Sequence, residues 1–404
     1  MSSPSFRARV RRVLGRVIRI TLALVLLATT YALVDGWREL GHRPDAARRA
    51  RMERSPEFKD GHFENPQPLH NDFVGSFTGM MHASPYTRPS SPLQIPRIDP
   101  ARFRVAPPSG LRVTWFGHST TIVEIDGHRI LTDPVWTDRV SPIDGVGPTR
   151  FYPPPIAISD LPRFDAVVVS HDHYDHLDYE TIRAMKDWDT RFVVPLGVGA
   201  HLAYWGVPEA RITEVDWWDR VPIGDLTIVC TPARHASGRH VLDKDATLWA
   251  GYALVGAKHR VYYSGDTGLF PAMNDIGEKL GPFDLTMIET GQYNAAWPDW
   301  HIGPEQAVRA HAMVRGKVLL PVHWALLALA YHGWTEPVER ASAAATRAGA
   351  LIVTPRPSQS FEPTETTAAT TLGERWWPEV PWRSGDLDPI VSTQVPNAPA
   401  DRPL

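Results

Sequence analysis

The fold class this sequence predicts is a layered α/β domain of two sheets flanked by helices, and three observations predict it. Short runs rich in β-branched and aromatic residues recur between residues 109 and 355, most of them too brief for helices. The earliest follow one another closely, as hairpin-linked strands do, and the later ones alternate with helical patterns. Ionisable residues gather just past the ends of several runs, where a strand leaves its sheet and functional side chains are usually carried.

The chain opens on the basic stretch "RARVRRVLGRVIRI" and then carries no charge from Ile20 to Val34. As a helix this run rises about 22 Å, short of the ~30 Å hydrocarbon core of a bilayer. Extension back to Val17 with Arg19 snorkelling, and forward to Trp37 as an interfacial anchor, makes a short span feasible. Residues 1–37 are therefore expected to be a basic segment and a membrane anchor, with a cleaved signal sequence as the alternative. Arginines stand on both sides of the run and determine its orientation weakly; the extracytoplasmic side is favoured for the domain C-terminal to it. Residues 38–108 are polar and proline-rich, reading as a linker or a wrapped extension.

In the domain itself, strands are expected at residues 112–116, 121–125, 129–132, 166–169, 192–195, 226–231, 249–255, 260–264, 285–289 and 317–321. Helices are expected at residues 179–186, 304–314 and 337–348, the second with Pro304 in its first turn. From residue 356 to 404 the composition returns to Pro, Thr, Ser and acidic residues, and a loose tail is expected.

Composition excludes some functions. A net charge of -3 offers no broad basic surface for phosphate backbones, so no nucleic-acid partner is expected. The single cysteine, Cys230, rules out an internal disulfide and a cysteine zinc cage.

The chemistry concentrates in "SHDHYDHLD", residues 170–178, directly after the apolar run "AVVV". Three histidines and three aspartates in nine residues repel or compete unless a cation sits among them. Imidazole nitrogen and carboxylate oxygen suit zinc and similar borderline metals. His171, His173, Asp175 and His176 can offer two histidines to one ion and an aspartate–histidine pair to another. Further ligands are expected at other strand ends, and three places offer them: His235 in "TPARHASG", Asp266 between glycines in "SGDTG", and His323 in "VLLPVHWA". Each alone is ambiguous, since a lone His is more often an ordinary buried side chain. Together they complete two coordination sets.

These motifs resemble those of the metallo-β-lactamase-fold hydrolases, an αββα sandwich of two mixed sheets. The blocks "WFGHSTTIVEIDGHRILTDPVW", "EVDWWD", "GPFDLTMIETGQY", "HIGPEQAVRAH" and "VHWALLALA" narrow the resemblance to the N-acyl-phosphatidylethanolamine-hydrolysing phospholipase D branch. It covers roughly residues 110–355. The resemblance implies two zinc ions, with Mn or Fe as alternatives: His171, His173 and His235 on one, Asp175, His176 and His323 on the other, and Asp266 bridging. It also implies that Tyr174 and His301 contact the phospholipid, and that Asp266, Asp175, His301 and Tyr174 share the catalytic work. His118 and Asp133 read as groups that orient ligands. The implied reaction is water attack on phosphorus with loss of N-acylethanolamine, leaving phosphatidic acid.

The chain departs from the branch in one respect. A lysine of the family's bile-acid contact is Gly238 here, so steroid-type activation is not carried over. Expected partners are a phospholipid substrate and the membrane, with a homodimer as a further option. Trp297, Trp300 and Trp334 are candidates for the lipid interface, against core packing as the ordinary alternative. Competing functions are another hydrolase on the same scaffold (lactonase, β-lactamase or nuclease) and a metal-binding envelope or regulatory protein without activity.

Overall fold

The computed structural model describes residues 6–143, 145–363 and 375–392. In chain order, α1 (Phe6–Gly36) is followed by α2 (Ala46–Met52), the two-residue strands β1 (Phe58–Lys59) and β2 (His62–Phe63), and α3 (Phe73–Met81). The first half of the domain carries β3 (Leu111–Trp115), β4 (Thr121–Ile125), β5 (His128–Thr132), β6 (Ala166–Val168), α4 (Tyr179–Met185), β7 (Arg191–Pro195), α5 (Gly199–Tyr204) and β8 (Ile212–Val215). The second half carries β9 (Arg220–Ile223), β10 (Leu226–Thr231), β11 (Gly251–Val255), β12 (Arg260–Tyr263), α6 (Ala272–Leu280), β13 (Phe283–Glu289), α7 (Pro304–Met313), β14 (Gly316–Val322), α8 (Glu336–Ala348), β15 (Leu351–Ile352) and β16 (Ser360–Phe361).

Two seven-stranded sheets result, in the orders β16-β3-β4-β5-β6-β7-β8 and β15-β14-β13-β12-β11-β10-β9. Each sheet has an antiparallel part, β16 to β5 or β9 to β12, and a parallel part, β5 to β8 or β12 to β15. Parallel strands need crossovers, and helices supply most of them.

Alternation along the strands sorts side chains between layers. Val261 and Tyr263 join Val113, Trp115, Ile228, Leu285 and Leu320 in the core between the sheets. Their neighbour Tyr262 faces the other way, with Phe283 and Leu319, under α6, α7 and α8. On the opposite flank Val167, Val169 and Phe192 pack under α4 and α5 with Ile182, Met185 and Leu202. This is the metallo-β-lactamase αββα sandwich.

Residues 38–108 lie over this body. Arg48 of α2 pairs with Glu209 at 2.6 Å and with Glu214 at 3.2 Å, and Met52 and Phe63 are buried. Further on, His70 N donates to Asp299 Oδ2 and Asp72 N to the Ala296 carbonyl. A loose tail does not describe residues 375–392. Trp377 and Ile390 are buried, and Trp376 stacks on Trp324 while Trp377 meets it edge to face, because the apolar rings left open beside β14 are covered this way. The rest of the expected tail, residues 364–374 and 393–404, lies outside the described residues. Trp334 is also corrected: it is buried in the core between the sheets and is not an interfacial residue.

Candidate metal centre

The expected ligand residues all follow C-terminal strand ends. "SHDHYDH" follows β6, His235 follows β10, Asp266 follows β12 and His323 follows β14. The backbone there is held in uncommon conformations. His118, Asp133 and His323 have φ of 50°, 34° and 66°. Positive φ in residues other than glycine is costly and gathers at functional sites. His118 and His323 support each other: His323 N donates to the His118 carbonyl, and His118 N to the Trp324 carbonyl. Beside Asp266, Gly265 at φ 59° leaves no room for a side chain, since a Cβ would lie 2.5 Å from the Ala250 carbonyl oxygen and 2.8 Å from Ser170 Cβ. Only glycine lets Asp266 come so close to the "SHDH" loop.

Two clusters result. In the first, His173 Nδ1 lies 2.8 Å from His171 Nε2 and 3.3 Å from His235 Nε2. In the second, His176 Nε2 lies 3.3 Å from Asp175 Oδ2, and His323 stands with them. Asp266 is between the clusters. Its Oδ2 is 3.9 Å from Nε2 of both His171 and His235 and 3.2 Å from His176 Nε2, and its Oδ1 is 3.1 Å from His323 Nδ1.

The other edges of these rings are occupied. Asp133 Oδ2 is 2.6 Å from His176 Nδ1, Ser170 Oγ is 2.9 Å from His171 Nδ1, and His235 Nδ1 donates to the Trp300 carbonyl at 2.8 Å. Each bond fixes a tautomer and aims Nε2 at the centre. His118 Nε2, 2.8 Å from Asp175 Oδ2, orients a carboxylate instead. Within the cluster His176 Nε2, His323 Nε2 and Asp266 Oδ1 are buried and make no hydrogen bond to a described residue. Orphaned buried polar atoms are costly in a protein interior, and converging imidazole and carboxylate lone pairs are what a divalent cation satisfies. The donor set fits metal.

Electrostatics agree. Burial, reinforced by neighbouring histidines, holds His171, His235 and His323 well below the usual imidazole range, so they are neutral and ready to ligate. Burial would do the same to His176, but Asp266, Asp175 and Asp133 outweigh it and hold it well above. Burial, with Glu289 nearby, pushes Asp266 up to about 6 against the pull of His176. Asp175 goes the other way: burial opposes ionisation, yet His176 and His118 hold it well below the usual carboxylate range.

The centre forms the floor of a cavity of about 330 Å³ whose walls include Asn71, Gln292, Trp297, Trp300, His301 and Leu329. His301 is therefore at the site. Tyr174 is not among the lining residues. Its hydroxyl donates to the Arg239 carbonyl at 2.7 Å and its ring lies under the Arg239 guanidinium, 4.0 Å away, so the structure turns it from the substrate space. Sequence reasoning missed Glu289, whose Oε2 is 2.9 Å from His301 Nδ1, and also Asn71 and Gln292. Asn71 sits in the stretch read as linker or extension, where no local pattern marks a wall residue.

Residues 128–324 match the family model of the β-lactamase superfamily domain. The chain is 48% identical over 364 residues to an uncharacterized protein of Mycobacterium tuberculosis, covering 85% of this chain and 96% of that protein. It is 40% identical over 228 residues to N-acyl-phosphatidylethanolamine-hydrolyzing phospholipase D 1 of Caenorhabditis elegans, covering 54% of this chain and 64% of that protein, less than two thirds of its length. Among solved structures, the isothiocyanate hydrolase from Delia radicum gut bacteria shares the fold, with a TM-score of 0.50 at 18% identity over 62% of this chain and 98% of that one. The fold and the matched domain place the chain in the metallo-β-lactamase superfamily of metal-dependent hydrolases.

Proposed function

We propose that the chain is a zinc-dependent phosphodiesterase of the phospholipase D type, cleaving N-acyl-phosphatidylethanolamine to N-acylethanolamine and phosphatidic acid. The observation that carries this reading is the composition of the cavity over the metal centre: His173, Asp175, Asp266 and His323 at its floor, Trp297, Trp300 and Leu329 on its walls. A charged phosphodiester bearing acyl chains asks for that combination. The likeness to the nematode phospholipase D supports it, with 40% identity over 228 residues.

In this reading His171, His173 and His235 would hold one ion and Asp175, His176 and His323 the other, with Asp266 shared. When bound, the ions supply Lewis-acid charge for the phosphoryl oxygens and lower the pKa of water. The chain's own residues do the rest. Trp297 and Trp300 exclude solvent, and His301 meets the phosphodiester from the wall. Asp175 or Asp266 accepts the proton of the attacking water. The water oxygen joins phosphorus, the P–O bond on the ethanolamine side breaks, and the departing oxygen takes up the proton that the aspartate accepted. The headgroup side of the cavity thereby sets specificity.

A bilayer is the natural source of such a substrate. Arg11–Tyr31 of α1 is long and apolar enough to cross a membrane and is 0% buried. In α3, Gly75 lies against Ala296 and Gly79 against Tyr331, which leaves Phe73 78% and Phe77 59% exposed beside the cavity wall residue Asn71. A helix that turns glycines inward and phenylalanines outward fits a lipid surface better than water.

Turnover of N-acyl-phosphatidylethanolamine in detergent micelles tests the reading, with phosphatidylethanolamine as control, His171→Ala beside wild type, and metal measured in each. N-acylethanolamine released by wild type alone is the expected result. Two bound metals without lipid cleavage would overturn the substrate and redirect attention to lactones and other phosphodiesters.

A further inference from the structure

One buried carboxylate is left unused by this chemistry. Glu289 ends β13 with no exposed surface, and no lysine or arginine bonds to it among the described residues. Its Oε1 accepts the backbone N–H groups of Thr267 and Ile302, the second at 3.2 Å, and its Oε2 is 2.9 Å from His301 Nδ1. The loop that carries His301 is pinned on both sides. The Trp300 carbonyl is held by the ligand His235, Asp299 by Arg234 at 2.9 Å, and Ile302 N by Glu289 itself. What remains free is the rotation of the His301 ring, and Glu289 is the described side chain that bonds to it. The Nε2 edge of His301, opposite this bond, makes no hydrogen bond to a described residue, and His301 lines the cavity.

We propose that Glu289 is a positioning residue, which holds His301 by Nδ1 and presents Nε2 to the substrate. A carboxylate fixed by two backbone amides is a rigid anchor, and a third bond from it sets both ring angle and tautomer. The identity of what Nε2 meets rests on the phosphodiesterase reading, but the Glu289–His301 bond does not. The rival role is metal ligation, since ligand atoms of Asp266, Glu289, His301 and His323 lie within 4.8 Å of one another.

The test combines a spectrum, a metal assay and kinetics on the full-length protein loaded with zinc. Histidine labelled with ¹⁵N should show one low-field Nδ1–H resonance that disappears in both His301→Gln and Glu289→Gln. Zinc content should stay at the wild-type value in Glu289→Gln, and kcat should fall on the order of ten- to hundred-fold with KM little changed. The double variant should be no slower than His301→Gln alone, because Glu289 acts through His301. Loss of zinc in Glu289→Gln, persistence of the resonance, or additive losses in the double variant would each overturn the proposal. If Glu289→Gln does not fold, the resonance in wild type and its absence in His301→Gln decide. If the lipid is not turned over, the substrate reading fails separately; the kinetic arm then uses bis(4-nitrophenyl) phosphate, and the spectrum stands on its own.

Discussion

Asp133 accepts hydrogen bonds from Ser170 N at 2.7 Å, Ser170 Oγ at 2.5 Å, His176 Nδ1 at 2.6 Å and the Tyr263 hydroxyl. One carboxylate thus fixes the start of the histidine loop and the tautomer of a ligand inside it. Asp133→Asn keeps the shape but replaces an oxygen acceptor by a donor, which opposes the Nδ1–H of His176. The variant is expected to bind zinc about 10- to 100-fold more weakly while remaining folded, read by competition with a chromophoric chelator. Unchanged affinity would mean that His176 does not ligate through Nε2. At this scale the site was legible where chemistry is dense. Three histidines and three aspartates in nine residues have no ordinary surface explanation. Glu289 was not legible, because it reads as the last residue of a strand and meets His301 only after the 291–300 loop folds back. Tyr174 shows the opposite error. Its place in the motif suggested the cavity, and the Arg239 guanidinium and carbonyl claim it instead.

Among the elements, the ten strands expected from sequence all form, each within two residues of its expected ends. The four sheet strands that were not foreseen, β8, β9, β15 and β16, are the four edges. Edge strands are short and broken by charge or proline, as in "RVPI" of β9, so their apolar signal is weak. The helices α7 and α8 were legible from Pro304 and Pro337 near their starts. The fit of α7 to its sheet has a consequence that pH exposes. His311 near its C-terminus is buried with Nδ1 2.6 Å from Thr286 Oγ1, and burial lowers its pKa from 6.5 to about 4. The unfolded chain therefore binds a proton between pH 6.5 and 4 that the folded one refuses. Stability from this group is full above pH 6.5 and declines as pH falls toward 4, by at most about 3 kcal/mol. His311→Gln should show a shallower loss between pH 7 and pH 5 in urea unfolding than wild type. Parallel curves would place the acid sensitivity elsewhere.

At the scale of the whole molecule, the αββα body is distinct from an N-terminal helix long and apolar enough to cross a membrane, and in the proposed reading that helix and α3 bring the body to lipid. Where α1 meets the body, Trp205 Nε1 donates to the Arg38 carbonyl at 2.8 Å and Arg239 Nε to the Glu39 carbonyl at 2.6 Å. Both contacts lie beyond the apolar window Arg11–Tyr31, which buries nothing. A chain lacking residues 1–31 is therefore expected to keep its thermal midpoint and its rate on micellar substrate. Its rate on vesicles should fall about 100-fold, since tethering acts by raising local concentration and adds no contact to the site. What vesicle binding remains should depend on α3. Burying a phenylalanine ring contributes roughly 2 kcal/mol, so Phe73→Ser with Phe77→Ser in the shortened chain should reduce co-sedimentation with phosphatidylethanolamine vesicles by two or more powers of ten. The micellar rate is the control, because both rings point away from the body and neither lines the cavity. Equal losses on micelles and vesicles would show that these segments support the fold. A loss confined to vesicles would place the mouth of the cavity at the lipid surface.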